Sequence, residues 1–211
     1  MDDKQFNELT KENNFFELYK LTRKIPTSKD NLYIYWSVLV FFVLISITTV
    51  TEYTNELEIL KAATKDLINW SISILGFVLA GYSIFASLTD KSLQLLLAGK
   101  VHKDTNINRL KHTHGLFIKV LIDLIILIFV CYFLKILFVD RNIIDSIVSK
   151  TLTPEQLALW LSIINAIVDS LFVYMLLLCK SFVYNVYHII MITTRWEYEK
   201  KIMAAKQNND K

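Results

Sequence analysis

The chain has 211 residues, 54% of them hydrophobic, with a mean hydropathy of +0.39. Only 4 glycines and 2 prolines punctuate it, which argues for helices and against a β-sandwich or barrel. The net charge of +3 is modest, and its basic residues sit beside apolar segments, so no soluble basic face for nucleic acid emerges.

Residues 1–31 are polar and charged with no apolar run of signal-peptide type. Within them Phe6, Leu9, Phe16, Tyr19 and Leu21 recur at roughly helical spacing, which predicts an amphipathic helix ending before Pro26. Two readings of this helix stay open. It lies on the membrane or on the protein's own cytosolic end, or it is a docking surface for a partner, with Phe6, Leu9 and Phe16 at its centre.

A first membrane span is expected over residues 32–51, opened by Tyr33, Tyr35 and Trp36 at headgroup level. Residues 52–66 read as a short, mildly acidic connection. The second span, 67–88, runs 22 residues without a charge. Along it Ser73, Gly76, Ala80, Ser83 and Ser87 form a seam of small residues that would let another helix approach closely. A polar segment follows to residue 115, and its run Ser92–Leu97 is expected to continue the second helix.

The third span is placed at 116–139. It holds Lys119 and Asp123, one turn apart, and Lys135 near its far end. Thr153-Pro154-Glu155 is a helix start: threonine as cap, proline at the first position and an acid in the first turn. The fourth span covers about 158–180. Apolar character persists to Met191, so this helix should project beyond the bilayer through Trp196, leaving 192–211 as a cytosolic helix and tail. Cys131 and Cys179 lie within apolar runs and read as packing thiols.

Basic residues alternate along the chain. Six precede the first span, two lie in 52–66, five in 89–115, two in 140–157 and five after 191. Because Lys and Arg collect on the cytoplasmic side, this pattern predicts four spans with both termini inside. The fold class is thus all-α: four transmembrane helices in 32–191, an amphipathic N-terminal helix in 1–31, and a cytosolic extension of the last helix.

Candidate chemistry is sparse. Ser162, Asn165 and Asp169 follow one face of the fourth helix, and Lys180 projects near it three turns on. They read either as a hydrated polar path or as interhelical hydrogen bonds that fix assembly. His102, His112 and His114 lack the Cys or carboxylate companions of a metal site. Arg109 and His114 have the R-x4-H spacing of HEPN ribonucleases, but the pair abuts a membrane span. No phosphate loop, nucleophile elbow or CxxC is present, so neither an enzyme nor a cofactor is expected.

The four-span pattern and the run GFVLAGYSIFASLTDKSL, Gly76 to Leu93, resemble the small four-helix inner-membrane proteins of bacterial anti-phage operons, with the Kiwa-type membrane subunit the nearest case. The resemblance implies a homo-oligomer in the bacterial inner membrane that partners a cytosolic effector, and it assigns no functional residue. The expected function is therefore a non-enzymatic sensor or scaffold subunit that oligomerises in the lipid bilayer and recruits or regulates a soluble protein. Its docking surface would include Phe6, Leu9, Phe16 and Trp196. The alternative is a pore-forming or ion-conducting effector.

Overall fold

A computed structural model of the chain describes residues 9–140 and 152–209. Its helices are α1 (Phe15–Arg23), α2 (Lys29–Thr48), α3 (Tyr53–Leu88), α4 (Lys91–Ala98), α5 (Arg109–Leu134) and α6 (Pro154–Asn209), with a π-helical turn at Lys135–Asp140. Four of these, α2, α3, α5 and α6, are long and apolar enough to cross a membrane. The described residues include no strand; Val101 and Asn108 form one isolated antiparallel bridge.

Local chemistry sets the boundaries. Asn14 caps α1 by accepting the Glu17 N–H at 2.9 Å, while the Glu17 carboxylate accepts the Asn13 N–H at 2.9 Å. This reciprocal cap starts α1 at residue 15. Phe6 and the rest of residues 1–8 lie outside the described residues. At the far end of the chain Thr153 and Gln156 cap α6 in the same reciprocal way, ahead of Pro154 in the first turn.

Two connections differ from expectation. Residues 53–66 are not a loop but the first 14 residues of α3, and the connection from α2 is only Thr49–Glu52. The reason is a buried stripe. Glu56, Leu60, Thr64, Leu67 and Ser71 recur every three or four residues and are all buried, so helix packing overrides the local charge density. At residue 89 the opposite happens. The Asp90 carboxylate accepts both the N–H and the hydroxyl of Ser92 at 2.9 Å, which caps α4 as a separate helix where a continuation was expected.

The chain divides into two compact units. One comprises residues 27–77 and 122–179. In it α2 runs antiparallel to α6: Ser46 lies by Ser162 at 3.1 Å, and the Tyr35 and Tyr174 rings are 5.5 Å apart. The α3 segment runs parallel to α6, with Glu56 against Asn165 and Ser71 against Met175. Leu60, Leu67, Leu124, Cys131, Leu161, Ala166 and Met175 fill its interior. Most of α2 is exposed and apolar on all sides, as a helix facing lipid would be.

The other unit comprises residues 1–26, 78–121 and 180–211. Its core is aromatic: Phe117 is fully buried, with ring centroids 5.0 Å from Phe85 and 5.8 Å from Phe182. Two glycines permit the close approaches. A Cβ at Gly81 would sit 2.6 Å from the Phe182 ring, and one at Gly115 would sit 2.6 Å from the Ile25 side chain.

Candidate functional site

Within residues 27–77 and 122–179 the polar side chains concentrate where α2, α3 and α6 meet. Glu56 is buried in the first turns of α3, and its Oε1 accepts the N–H and hydroxyl of Thr51 at 2.9 and 2.8 Å. From α6 the Asn165 Nδ2 donates to the Glu56 carbonyl at 3.0 Å and to its carboxylate at 2.9 Å. Ser162 donates to the Ser46 carbonyl at 3.1 Å. Asn165 Oδ1 is buried without a hydrogen-bond partner. A cleft of about 850 Å³ opens nearby, lined by Val50–Asn55, Pro154, Glu155 and Ala158.

Deeper in this unit Tyr174 donates its hydroxyl to Asp123 at 3.2 Å. Asp169 is exposed, so the face that the spacing assigns to Ser162, Asn165 and Asp169 divides. Ser162 and Asn165 tie helices together, and Asp169 points outward. Lys180, also exposed, belongs to the other unit, as does Lys119, whose Nζ donates to the Ile25 carbonyl at 2.6 Å.

The small-residue seam is displaced from the chain's own core. Ser73, Gly76, Ala80, Ser83 and Ser87 are all exposed, and a Cβ at Gly76 would meet nothing within 4 Å. The Ser73, Ser83 and Ser87 hydroxyls donate back to α3 carbonyls at 3.0, 2.9 and 2.8 Å. Close contact within the chain is made instead by Ser71, Val78 and Gly81, one residue or two round the helix.

Among residues 78–121 and 180–211 a second polar cluster joins α4 to the end of α6. Asp90 pairs with Lys200, and Trp196 lies beside them, its indole N–H 3.4 Å from the Ser92 hydroxyl. The Lys200 ammonium and the Ser92 N–H and hydroxyl hold the Asp90 carboxyl well below the usual carboxylate range. Lys111 pairs with Glu12. His102 and His112 stack at 4.0 Å, while His114 packs on Tyr82 with its Nδ1 3.1 Å from the phenol. Arg109 is exposed at the start of α5, and no group of three or more metal-ligating side chains occurs among the described residues. On the N-terminal segment Leu9 is half-buried, whereas Phe16 is 63% exposed.

Sequence reasoning missed Glu56, Asp90 and Lys200. Glu56 opens the buried i, i+4, i+8, i+11 stripe with Leu60, Thr64 and Leu67, and that period was the signal available to find it. Nothing local links Asp90 to Lys200 across 110 residues. Comparison of the chain with protein-family models, with curated proteins and with solved structures finds no match.

Proposed function

We propose that this protein is a non-enzymatic, multi-pass subunit of a bacterial inner membrane, with both termini cytosolic, that oligomerises and recruits or regulates a soluble effector in anti-phage defence. The observation that carries the reading is the amount of helix beyond the apolar crossings. At 1.5 Å per residue the 56 residues of α6 extend about 84 Å, against about 30 Å of hydrocarbon. Large apolar side chains are exposed on the surplus, among them Tyr184, Tyr198 and Met203, and on α1 Phe15 and Phe16 are exposed too. Apolar side chains left open on helices outside the bilayer are suited to a protein partner. Trp196 is partly engaged with α4, so Phe16 is the freer of the two aromatic docking residues.

The alternation of basic residues supports the orientation, and the anti-phage setting rests on the resemblance carried by Gly76–Leu93. The test is affinity capture of the detergent-solubilised protein from native membranes, with mass spectrometry of what accompanies it. A stoichiometric soluble protein lost on deleting residues 2–24 supports the reading. An ion-conducting effector is the second reading, favoured by the Glu56–Asn165 pair inside the helix bundle. It takes over if no soluble protein co-purifies and the purified chain conducts ions in liposomes.

A further inference from the structure

Two imidazoles close the loop between α4 and α5. The loop turns back on itself, with Val101 bridged to Asn108. The His102 N–H donates to the Ile107 carbonyl at 2.8 Å, the Asn106 N–H to the His102 carbonyl at 3.0 Å, and the Arg109 N–H to the Lys100 carbonyl at 2.8 Å. Asn106 has a φ of 53°, in the left-handed region that asparagine tolerates. This turn sets His102 over the first turn of α5, where its ring stacks on His112. The ring centroids are 4.0 Å apart and the planes 6° from parallel. On the loop side Thr105 Oγ1 lies 3.3 Å from His102 Nδ1.

Such a stack accepts one proton, since a cation over a neutral aromatic face is attracted. Two protons would set like charges face to face at the 4.0 Å ring spacing. The surroundings do little to relieve them. Burial first, then the facing His102, push the His112 imidazole below its ordinary value, and Asp104, exposed on the loop, offsets them in part. On α5 the neighbouring Lys111 is paired with Glu12 of the N-terminal segment. Lys100, Lys103 and Arg109 are exposed. The last turn of α4, residues 95–98, carries no charge, and His114 turns to Tyr82 on α3.

We propose that the stacked pair of His102 and His112 is an acid-sensitive latch, which holds the 99–108 loop closed on α5 while the pair carries at most one proton and releases it when both rings are protonated. The sign follows from the proton counts. Below the ordinary imidazole value of about 6.5 the open loop binds two protons and the closed stack one. Closure is therefore fully present above that value and weakens as pH falls, with the open-to-closed ratio rising about tenfold between pH 7.5 and 5. α4 stays in place, because the Asp90–Lys200 pair remains ionised across this range. The latch adds a signal to the recruiting role. In the orientation proposed above the loop lies in the cytosol, so the signal is cytosolic acidification.

Hydrogen exchange of the full-length protein in nanodiscs tests it, read as protection relative to the intrinsic rate at each pH. The amides of residues 99–109 should lose about tenfold in protection from pH 7.5 to 5, while those of α4 stay flat. His112→Gln should abolish the step, and His102→Gln should at least halve it. His188→Gln, exposed on α6, should leave it intact. If His112→Gln opens the loop already at pH 7.5, His112→Phe takes its place, since it keeps a ring against His102 without the second charge; it should be closed and flat. A flat wild-type profile overturns the latch, as does a step of full size in His102→Gln or in His112→Phe. A parallel loss of protection in α4 means that acid loosens more than the loop, and it overturns the latch too.

Discussion

Asn165→Ala gives the sharpest test of what holds α3 to α6. It deletes two hydrogen bonds from Nδ2, one to the Glu56 carbonyl at 3.0 Å and one to its carboxylate at 2.9 Å. A neutral bond contributes about 0.5–1.5 kcal/mol and one to a charged group about 1.5–3 kcal/mol. The Oδ1 atom has no partner and loses nothing. Glu56 keeps the Thr51 N–H and hydroxyl, so its carboxylate is not stripped bare. Alanine's better helix propensity offsets about 0.5 kcal/mol. The net expectation is a loss of about 2 kcal/mol, with about 1 kcal/mol as the floor if the membrane-unfolded state supplies substitute partners. Reversible unfolding in mixed detergent–SDS micelles, followed by circular dichroism, measures it. Asp169→Ala, at an exposed position four residues on, should stay within about 0.5 kcal/mol of wild type. Equal midpoints for Asn165→Ala and wild type would refute the view that this contact fastens α6 to α3, and so would an equal loss from Asp169→Ala.

Further outcomes are expected elsewhere. Gly81→Ala should cost about 1–3 kcal/mol in the same unfolding assay because the new methyl meets the buried Phe182 ring at 2.6 Å. Gly76→Ala, with open space around it, should be neutral or stabilising by up to about 1 kcal/mol. Since the Asp90 carboxyl is held below its ordinary range, its link to Lys200 is fully present above the unfolded value of about 4 and is lost only as pH falls through the lower folded value. The protection of α4 amides, taken relative to the intrinsic exchange rate at each pH, should therefore be flat from pH 5 to 8 and lower in Asp90→Asn; a step in protection within that window would contradict the assignment. A reporter active only in the cytosol, fused at Lys211, should give signal, and a periplasm-active one should stay silent; the reverse pattern refutes the proposed orientation.

Much of the helical organisation could be read from the residues alone, because the period of apolar side chains reports helix and the bilayer imposes a length. The apolar runs in α2, α3, α5 and α6, the Thr153-Pro154 start and the scarcity of turn punctuation identified four candidate crossings. Local chemistry marked the start at Thr153, while Asn14 and Asp90 were overlooked as caps inside otherwise helical runs.

Tertiary structure decided which face of each helix turns inward. The charge-free stretch 67–88 drew attention to Ser73 and Gly76, yet burial follows the neighbouring stripe through Glu56, Leu60, Thr64, Leu67, Ser71 and Val78. Small residues mark where close approach is possible; the shapes of the facing side chains decide where it occurs, and Phe182 selects Gly81. The pairing of Glu56 with Asn165, 109 residues away, was likewise invisible in sequence. A carboxylate beside charged neighbours reads as solvated until the fold shows which donors surround it, since hydrogen bonds formed across 109 residues leave no local period in the chain.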